Sequence, residues 1–159
     1  MIEKFRILQK VKATREDTAL RALRAKREQL SEAVRSRRQQ EKAVEDSAAA
    51  LPDREAAVYQ EIMRKVVDAQ KIDATKEKVV QLHKDHEHLE DDLEMAIQRC
   101  LRLTQEVDDA HRAYQVAQRT REKFDMMLED LVREHADQAE RAEEAEIEEL
   151  FAKGRPVPA

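Results

Sequence analysis

From Val79 to Leu131 the chain places an apolar or amphipathic residue at alternating steps of three and four. The series is Val79, Leu82, His86, Leu89, Leu93, Ala96, Cys100, Leu103, Val107, Ala110, Tyr114, Ala117, Arg121, Phe124, Leu128 and Leu131. Only His86 and Arg121 break the apolar character, and the residues between are mostly charged, as in Glu90-Asp91-Asp92 and Asp108-Asp109. A narrow stripe with a 3.5-residue repeat keeps facing one partner while the helices supercoil, so it predicts a coiled-coil helix that needs a second helix beside it. No Gly or Pro interrupts this stretch.

The chain carries its own partner. A first arm opens with Ile2, Phe5, Leu8 and Val11, and its best stripe is Leu20, Leu23, Arg27, Leu30, Val34, Arg37, Glu41, Val44, Ala48 and Leu51. Arg27, Arg37 and Glu41 dilute it; the preferred reading is that their stems lie along the seam and their charges reach outward. Pro52 interrupts this arm and predicts a kink or local break, with Asp53 and Glu55 near the start of the helix that resumes. Further on, Gln70-Lys71-Ile72-Asp73-Ala74-Thr75 resembles a boundary, where Asp73 or Thr75 would cap the next helix.

Two antiparallel helices keep a constant sum of opposed residue numbers. Reversal near Ile72 gives a sum of about 144 and sets Leu51 against Leu93, Val44 against Cys100, Leu30 against Tyr114 and Leu20 against Phe124; heptad-shifted sums of about 137 or 151 satisfy the pattern too. Reversal at Pro52 would leave most of the second stripe unpaired. The expected fold is therefore all-α: a long antiparallel two-helix coiled-coil hairpin with its turn near residues 70–75. The hairpin spans residues 1–152, with a first arm over about 2–69, a second over about 75–151, and a disordered tail at 153–159 around Gly154, Pro156 and Pro158.

Composition agrees with this layout. The 159 residues are 41% charged and 3% aromatic, with one glycine. That is too few turn formers and bulky core residues for an ordinary compact domain, whereas the abundant Ala, Glu, Lys, Arg, Gln and Leu favour helix. The net charge of −5 is unevenly spread: residues 1–42 hold 13 Lys/Arg and 6 Asp/Glu, residues 43–119 hold 11 and 17, and residues 120–159 hold 6 and 12. A basic start and an acidic end fit side by side in an antiparallel pair, so the basic region does not require nucleic acid, and aromatics for base stacking are scarce. No signal-peptide pattern or long apolar run is present, which predicts a soluble protein without direct membrane insertion. The single Cys100 allows no internal disulfide and, lying on the stripe, reads as a small hydrophobe.

Chemistry-bearing clusters are scarce. His83-Lys84-Asp85-His86-Glu87-His88 is the one ligand-rich stretch, and His83 and His86 have spacing suited to a shared metal. His86 also falls on the stripe, where a tolerated polar residue is the plainer explanation. No phosphate-cradling glycine loop and no nucleophile–base arrangement appears; the expectation is a protein that is not an enzyme, with no catalytic residues, no metal and no cofactor. Apolar residues off the stripe remain: Tyr59, Met63, Val67, Val80 and Ile97 towards the expected tip, and Met126, Met127 and Val132 towards the base. Such residues are candidates for partner contact or for self-dimerisation.

The layout resembles the YscO/FliJ family, the small central-stalk proteins of bacterial type III secretion and flagellar export. The resemblance rests on two long antiparallel helices and on the basic stretch Leu20-Arg21-Ala22-Leu23-Arg24-Ala25-Lys26-Arg27-Glu28-Gln29-Leu30. Tyr59-Gln60-Glu61-Ile62-Met63-Arg64 and Lys78-Val79-Val80 resemble the helices flanking the family's tip, and the acidic C-terminal end fits as well. It implies a stalk in the bacterial cytoplasm, peripheral to the membrane-embedded export apparatus. Such a stalk seats its paired terminal ends in a hexameric export ATPase, presents its tip to the export gate protein and escorts export chaperones. The expected partner-binding residues are Arg6, Lys10, Arg15 and Arg21 at the base, with Glu134, Glu140 and Glu144 opposite, and Tyr59, Met63, Val67, Val80 and His83 at the tip. For the base charges, mutual pairing within the hairpin is an equal alternative. The expected state is a monomer or weak homodimer. The competing readings are a self-assembling coiled-coil scaffold without an ATPase partner, an amphipathic protein of the membrane surface and, last, an enzyme.

Overall fold

The computed structural model describes residues 1–154, which form two α-helices and no strand: α1, Ile2–Gln60, and α2, Ala69–Lys153. The chain divides into two units, Arg24–Asp109 and Met1–Leu23 with Ala110–Ala159, each taken by itself.

Within Arg24–Asp109, the latter part of α1 and the first part of α2 form a helical hairpin around residues 61–68. Ala33, Cys100 and Leu103 are its buried cluster, with Leu30 and Val34 packed on it; Val79 and Thr75 are buried nearer the turn. Lys26 Nζ reaches Glu106 Oε2 at 3.0 Å, and Ser47 Oγ lies 2.9 Å from His86 Nδ1. These cross-helix partners have residue numbers summing to roughly 133, short of the favoured 144 and nearer the heptad-shifted 137. Cys100 consequently packs with Ala33 and Leu30 rather than opposite Val44.

The turn is correspondingly earlier than 70–75. α1 ends where the Tyr59 carbonyl accepts the backbone N–H groups of Ile62 and Met63 at 3.2 and 3.1 Å. Arg64 then takes a left-handed conformation, φ 61°, a role that glycine usually fills. Asp68, not Asp73 or Thr75, caps α2: its Oδ1 accepts the Lys71 backbone N–H at 2.8 Å. The Thr75 hydroxyl instead donates to the Lys71 carbonyl at 2.8 Å and is buried. Val66 and Val67, of modest helix propensity, fall within this break.

Pro52 does not break the first arm. α1 runs through it. The missing N–H leaves the Ala48 carbonyl without its usual donor, but Ala48 and Pro52 lie on the exposed face, where water serves. Leu51, Glu55 and Val58 meanwhile hold the stripe against α2. That stripe also differs in phase from the expected one. Lys26, Ala33, Gln40 and Ser47 turn inward, whereas Arg27, Glu41 and Ala48 are exposed.

In the unit formed by Met1–Leu23 and the later part of α2, Leu23 is the buried core residue, 2% exposed. Ile2, Phe5, Gln9, Lys12, Glu16 and Leu20 are half-buried on α1, as are Ala110, Tyr114, Ala117, Arg121, Phe124, Leu128 and Leu131 on α2. Phe124 stacks on Phe5, centroids 5.5 Å apart, rather than lying opposite Leu20. From Val132 to Lys153 every residue is exposed: α2 continues as a single helix with none of the other described residues packed on it. The Gly154 N–H closes the last turn on the Leu150 carbonyl at 3.0 Å. The second arm thus reaches Lys153, and residues 155–159 of the expected tail lie outside the described residues.

Candidate functional site

At the start of α1, a polar clasp joins the helices. Arg121 donates from Nη1 to Asp125 Oδ2 at 2.6 Å and from Nε to Glu16, while Gln9 Nε2 donates to Asp125 Oδ1 at 2.7 Å. Two carboxylates raise the Arg121 pKa above its ordinary value, Glu16 contributing most. The Gln9 amide and the Arg121 guanidinium hold Asp125 below the usual carboxylate range. Beside the clasp, Lys12 Nζ lies 5.2 Å from the centroid of the Phe124 ring, within cation–π range. Gln9, Lys12 and Glu16 continue the 3–4 spacing begun by Ile2 and Phe5, so the spacing alone was the signal; reading only apolar residues hid it.

The expected base residues are placed differently from one another. Arg6, Lys10, Arg15 and Arg21 are exposed on α1. Arg21 pairs with Asp17 one turn away at 3.1 Å, and the other three make no ion pair with a described residue. Glu134, Glu140 and Glu144 are exposed on the unpacked part of α2, beyond the residues that face the start of α1. The expected opposition of these two charge sets is therefore not found. The register explains it: Phe5 already meets Phe124, which leaves the acidic run past the end of its partner helix.

At the hairpin turn, Tyr59, Met63 and Val80 are exposed, and Val67 is half-buried. Val66, absent from the expected set, is the most exposed large apolar residue, and Ile72 adds to the patch. The Lys78–Glu61 ion pair, 3.2 Å, ties the turn to α2. His83 lies 3.4 Å from Glu55 across the hairpin.

The histidine cluster separates. While His83 turns to Glu55, His86 lies between the helices with Nε2 2.7 Å from Glu90 Oε1 and Nδ1 2.9 Å from Ser47 Oγ. Glu90 as a carboxylate only accepts, so Nε2 carries the proton and Nδ1 accepts from the Ser47 hydroxyl in the neutral ring. A serine, an imidazole and a carboxylate in series is the order of a hydrolytic triad, but the serine here touches Nδ1 across a helix pair. No converging backbone N–H groups exist on these helices to hold an oxyanion, because mid-helix amides are already spent. The trio accounts for a polar residue on the stripe. No group of three His, Cys, Asp or Glu side chains close enough to hold a metal occurs among the described residues. Cys100 is a free, buried thiol. No described helix is long and apolar enough to cross a membrane.

The arrangement offers an exposed apolar turn at one place and, at another, exposed basic residues on α1 and an unpacked acidic stretch of α2. Compared with known families, residues 5–153 match the family model described as Type III secretion protein YscO. No curated protein matches, and no solved structure does.

Proposed function

The chain belongs to the YscO family of type III secretion proteins, and on that premise we propose that it is a non-enzymatic stalk of a type III secretion or flagellar export apparatus. In this reading its terminal residues seat in the hexameric export ATPase, its turn faces the export gate protein, and it escorts export chaperones from the cytoplasmic side of the membrane-embedded apparatus. The observation that carries the reading is the bare stretch of α2 from Val132 to Lys153. A glutamate-rich helix with no partner among the described residues gains little from folding alone, since isolated helices of this length are marginal in water. A ring lumen would supply the missing contacts. Arg6, Lys10 and Arg15, exposed on α1 and without an ion pair to a described residue, give the terminal unit positive charge as well, suited to weak, salt-dependent contacts with different subunits. Exposed Tyr59, Met63, Val66 and Val80 give the turn an apolar surface for a different partner.

The experiment pairs the purified chain with the export ATPase of the same secretion system. Wild type binds it, stimulates ATP hydrolysis, and binds more weakly as salt rises. Replacing Arg6, Lys10 and Arg15 by Glu keeps helicity and lowers both binding and stimulation. A folded triple variant that behaves as wild type removes these residues from the contact. A wild-type chain that neither binds nor stimulates ends the stalk reading in favour of a self-assembling scaffold.

A further inference from the structure

The hairpin of Arg24–Asp109 carries a groove of about 760 Å³ that the stalk reading does not use. Ala33, Ser36 and Gln40 line it from α1, and Met95, Ala96, Arg99 and Arg102 from α2, together with the carboxylates Asp92 and Glu94. Its volume falls within the range of concave binding sites, about 300–1,000 Å³. Three features mark it as unfinished. Ala33, Ser36 and Ala96 are small enough to let a third helix approach closely. Met95 stands over it 71% exposed, the adaptable side chain of surfaces that receive helices. Arg99 and Arg102 make no ion pair with any described residue, and Gln40 keeps its Oε1 buried without a donor.

The same chain contains a helix of matching chemistry. On the unpacked end of α2, Ile147, Leu150 and Phe151 have the i, i+3, i+4 spacing of helix-in-groove anchors, and all three are exposed. Glu143, Glu144, Glu146, Glu148 and Glu149 surround them, and none pairs with a cation among the described residues. Unpaired arginines beside an apolar groove thus meet unpaired glutamates beside apolar anchors.

We propose that the acidic end of α2, anchored by Ile147, Leu150 and Phe151, docks into the Ala33–Ser36–Met95–Ala96 groove of a second copy of this chain, with Glu143 and Glu146, which flank the anchors on the same side of the helix, meeting Arg99 and Arg102. The contact turns a two-helix surface into a three-helix one locally and covers the apolar residues at the end of α2. A copy held this way withholds its acidic end from any other partner. The proposal does not rest on the stalk reading, because it concerns the purified chain alone.

Sedimentation equilibrium of the full chain tests it. Wild type, from ~1 to ~200 μM, shows weight-average mass rising above the monomer, with a dissociation constant on the order of 10–100 μM. Leu150→Ser with Phe151→Ser, at exposed positions of the unpacked helix, weakens association at least tenfold without change in helicity or melting. Arg99→Glu with Arg102→Glu does the same, as does Glu143→Arg with Glu146→Arg. Mixing these last two charge-reversed chains restores association between unlike copies to within about threefold of wild type. A disulfide forming between Met95→Cys in one copy and Phe151→Cys in another locates the contact, with Cys100 replaced by Ala in both. A wild-type chain that is monomeric at ~200 μM overturns the proposal. So does association that survives the Leu150/Phe151 variant, or charge-reversed chains that fail to recover on mixing.

Discussion

Asp125 shows how a single side chain on a helix seam becomes a condition on folding. The Gln9 amide and Arg121 guanidinium both bond to its ionised form and depress its pKa below the ordinary 3.8. A depressed carboxyl contributes stability that is present above its unfolded value and lost as pH falls through its folded value. The clasp therefore weakens below about pH 4, and the loss completes as Asp125 protonates. Asp125→Asn removes that part of the acid response. Thermal melts by circular dichroism at about pH 5 and pH 3 check it: the drop in melting temperature is smaller in the variant, while at neutral pH the variant melts lower than wild type. The Glu16–Arg121 pair stays partly exposed, so its own contribution is modest.

The two ends of the 61–68 turn and the proline in α1 set the limits of the elements. Asp68→Ala leaves the Lys71 N–H without its acceptor and costs about 1 kcal/mol. Arg64→Gly relieves a left-handed backbone and gains about 0.5–1 kcal/mol, less the extra freedom of glycine in the unfolded chain. Urea denaturation of the two variants, moving in opposite directions, checks the turn; if both lose stability, the cap and the left-handed residue are misassigned. Pro52→Ala restores a donor to the Ala48 carbonyl inside an otherwise continuous helix. The expected gain is about 1–3 kcal/mol, read as a higher denaturation midpoint. An unchanged or lower midpoint would mean that the proline is accommodated without strain.

Across the whole molecule, stability is unevenly distributed. The unit Arg24–Asp109 has Ala33, Val79, Cys100 and Leu103 buried, whereas Leu23 is the buried apolar residue of the terminal unit, which otherwise relies on half-buried and polar contacts. Opening free energies follow buried apolar contacts, so amide exchange is slowest around Ala33, Cys100 and Leu103 and faster throughout residues 2–20 and 110–131. Residues 133–153 exchange fastest of the helical amides, because none of the other described residues packs on them. Mass-spectrometric hydrogen exchange on the free chain checks the order. Protection at 140–151 equal to that at 96–107, in dilute protein, contradicts it. At high concentration the proposed docking of a second copy raises protection at 147–151 and around Met95 together.

Two long helices and the α2 stripe were legible because each depends on local spacing. All sixteen stripe residues from Val79 to Leu131 are buried or half-buried, as a 3.5-residue repeat requires. Helix propensity likewise carried the run to Lys153. What the chain pattern left open was register. A heptad repeat matches itself after every seven residues, so opposed pairs such as Val44–Cys100 and Leu30–Cys100 satisfy it equally well. The choice belongs to contacts between residues far apart in sequence: Phe5 on Phe124, Glu16 with Arg121, Lys26 with Glu106, Ser47 with His86. Those pairs moved the turn from 70–75 to 61–68, carried α1 through Pro52 and left Glu134, Glu140 and Glu144 without the basic partners expected for them. The sequence by itself determined which face of α2 is buried, through periodicity; tertiary structure decided what that face meets and which glutamates are left free, because only packing distinguishes one heptad from the next.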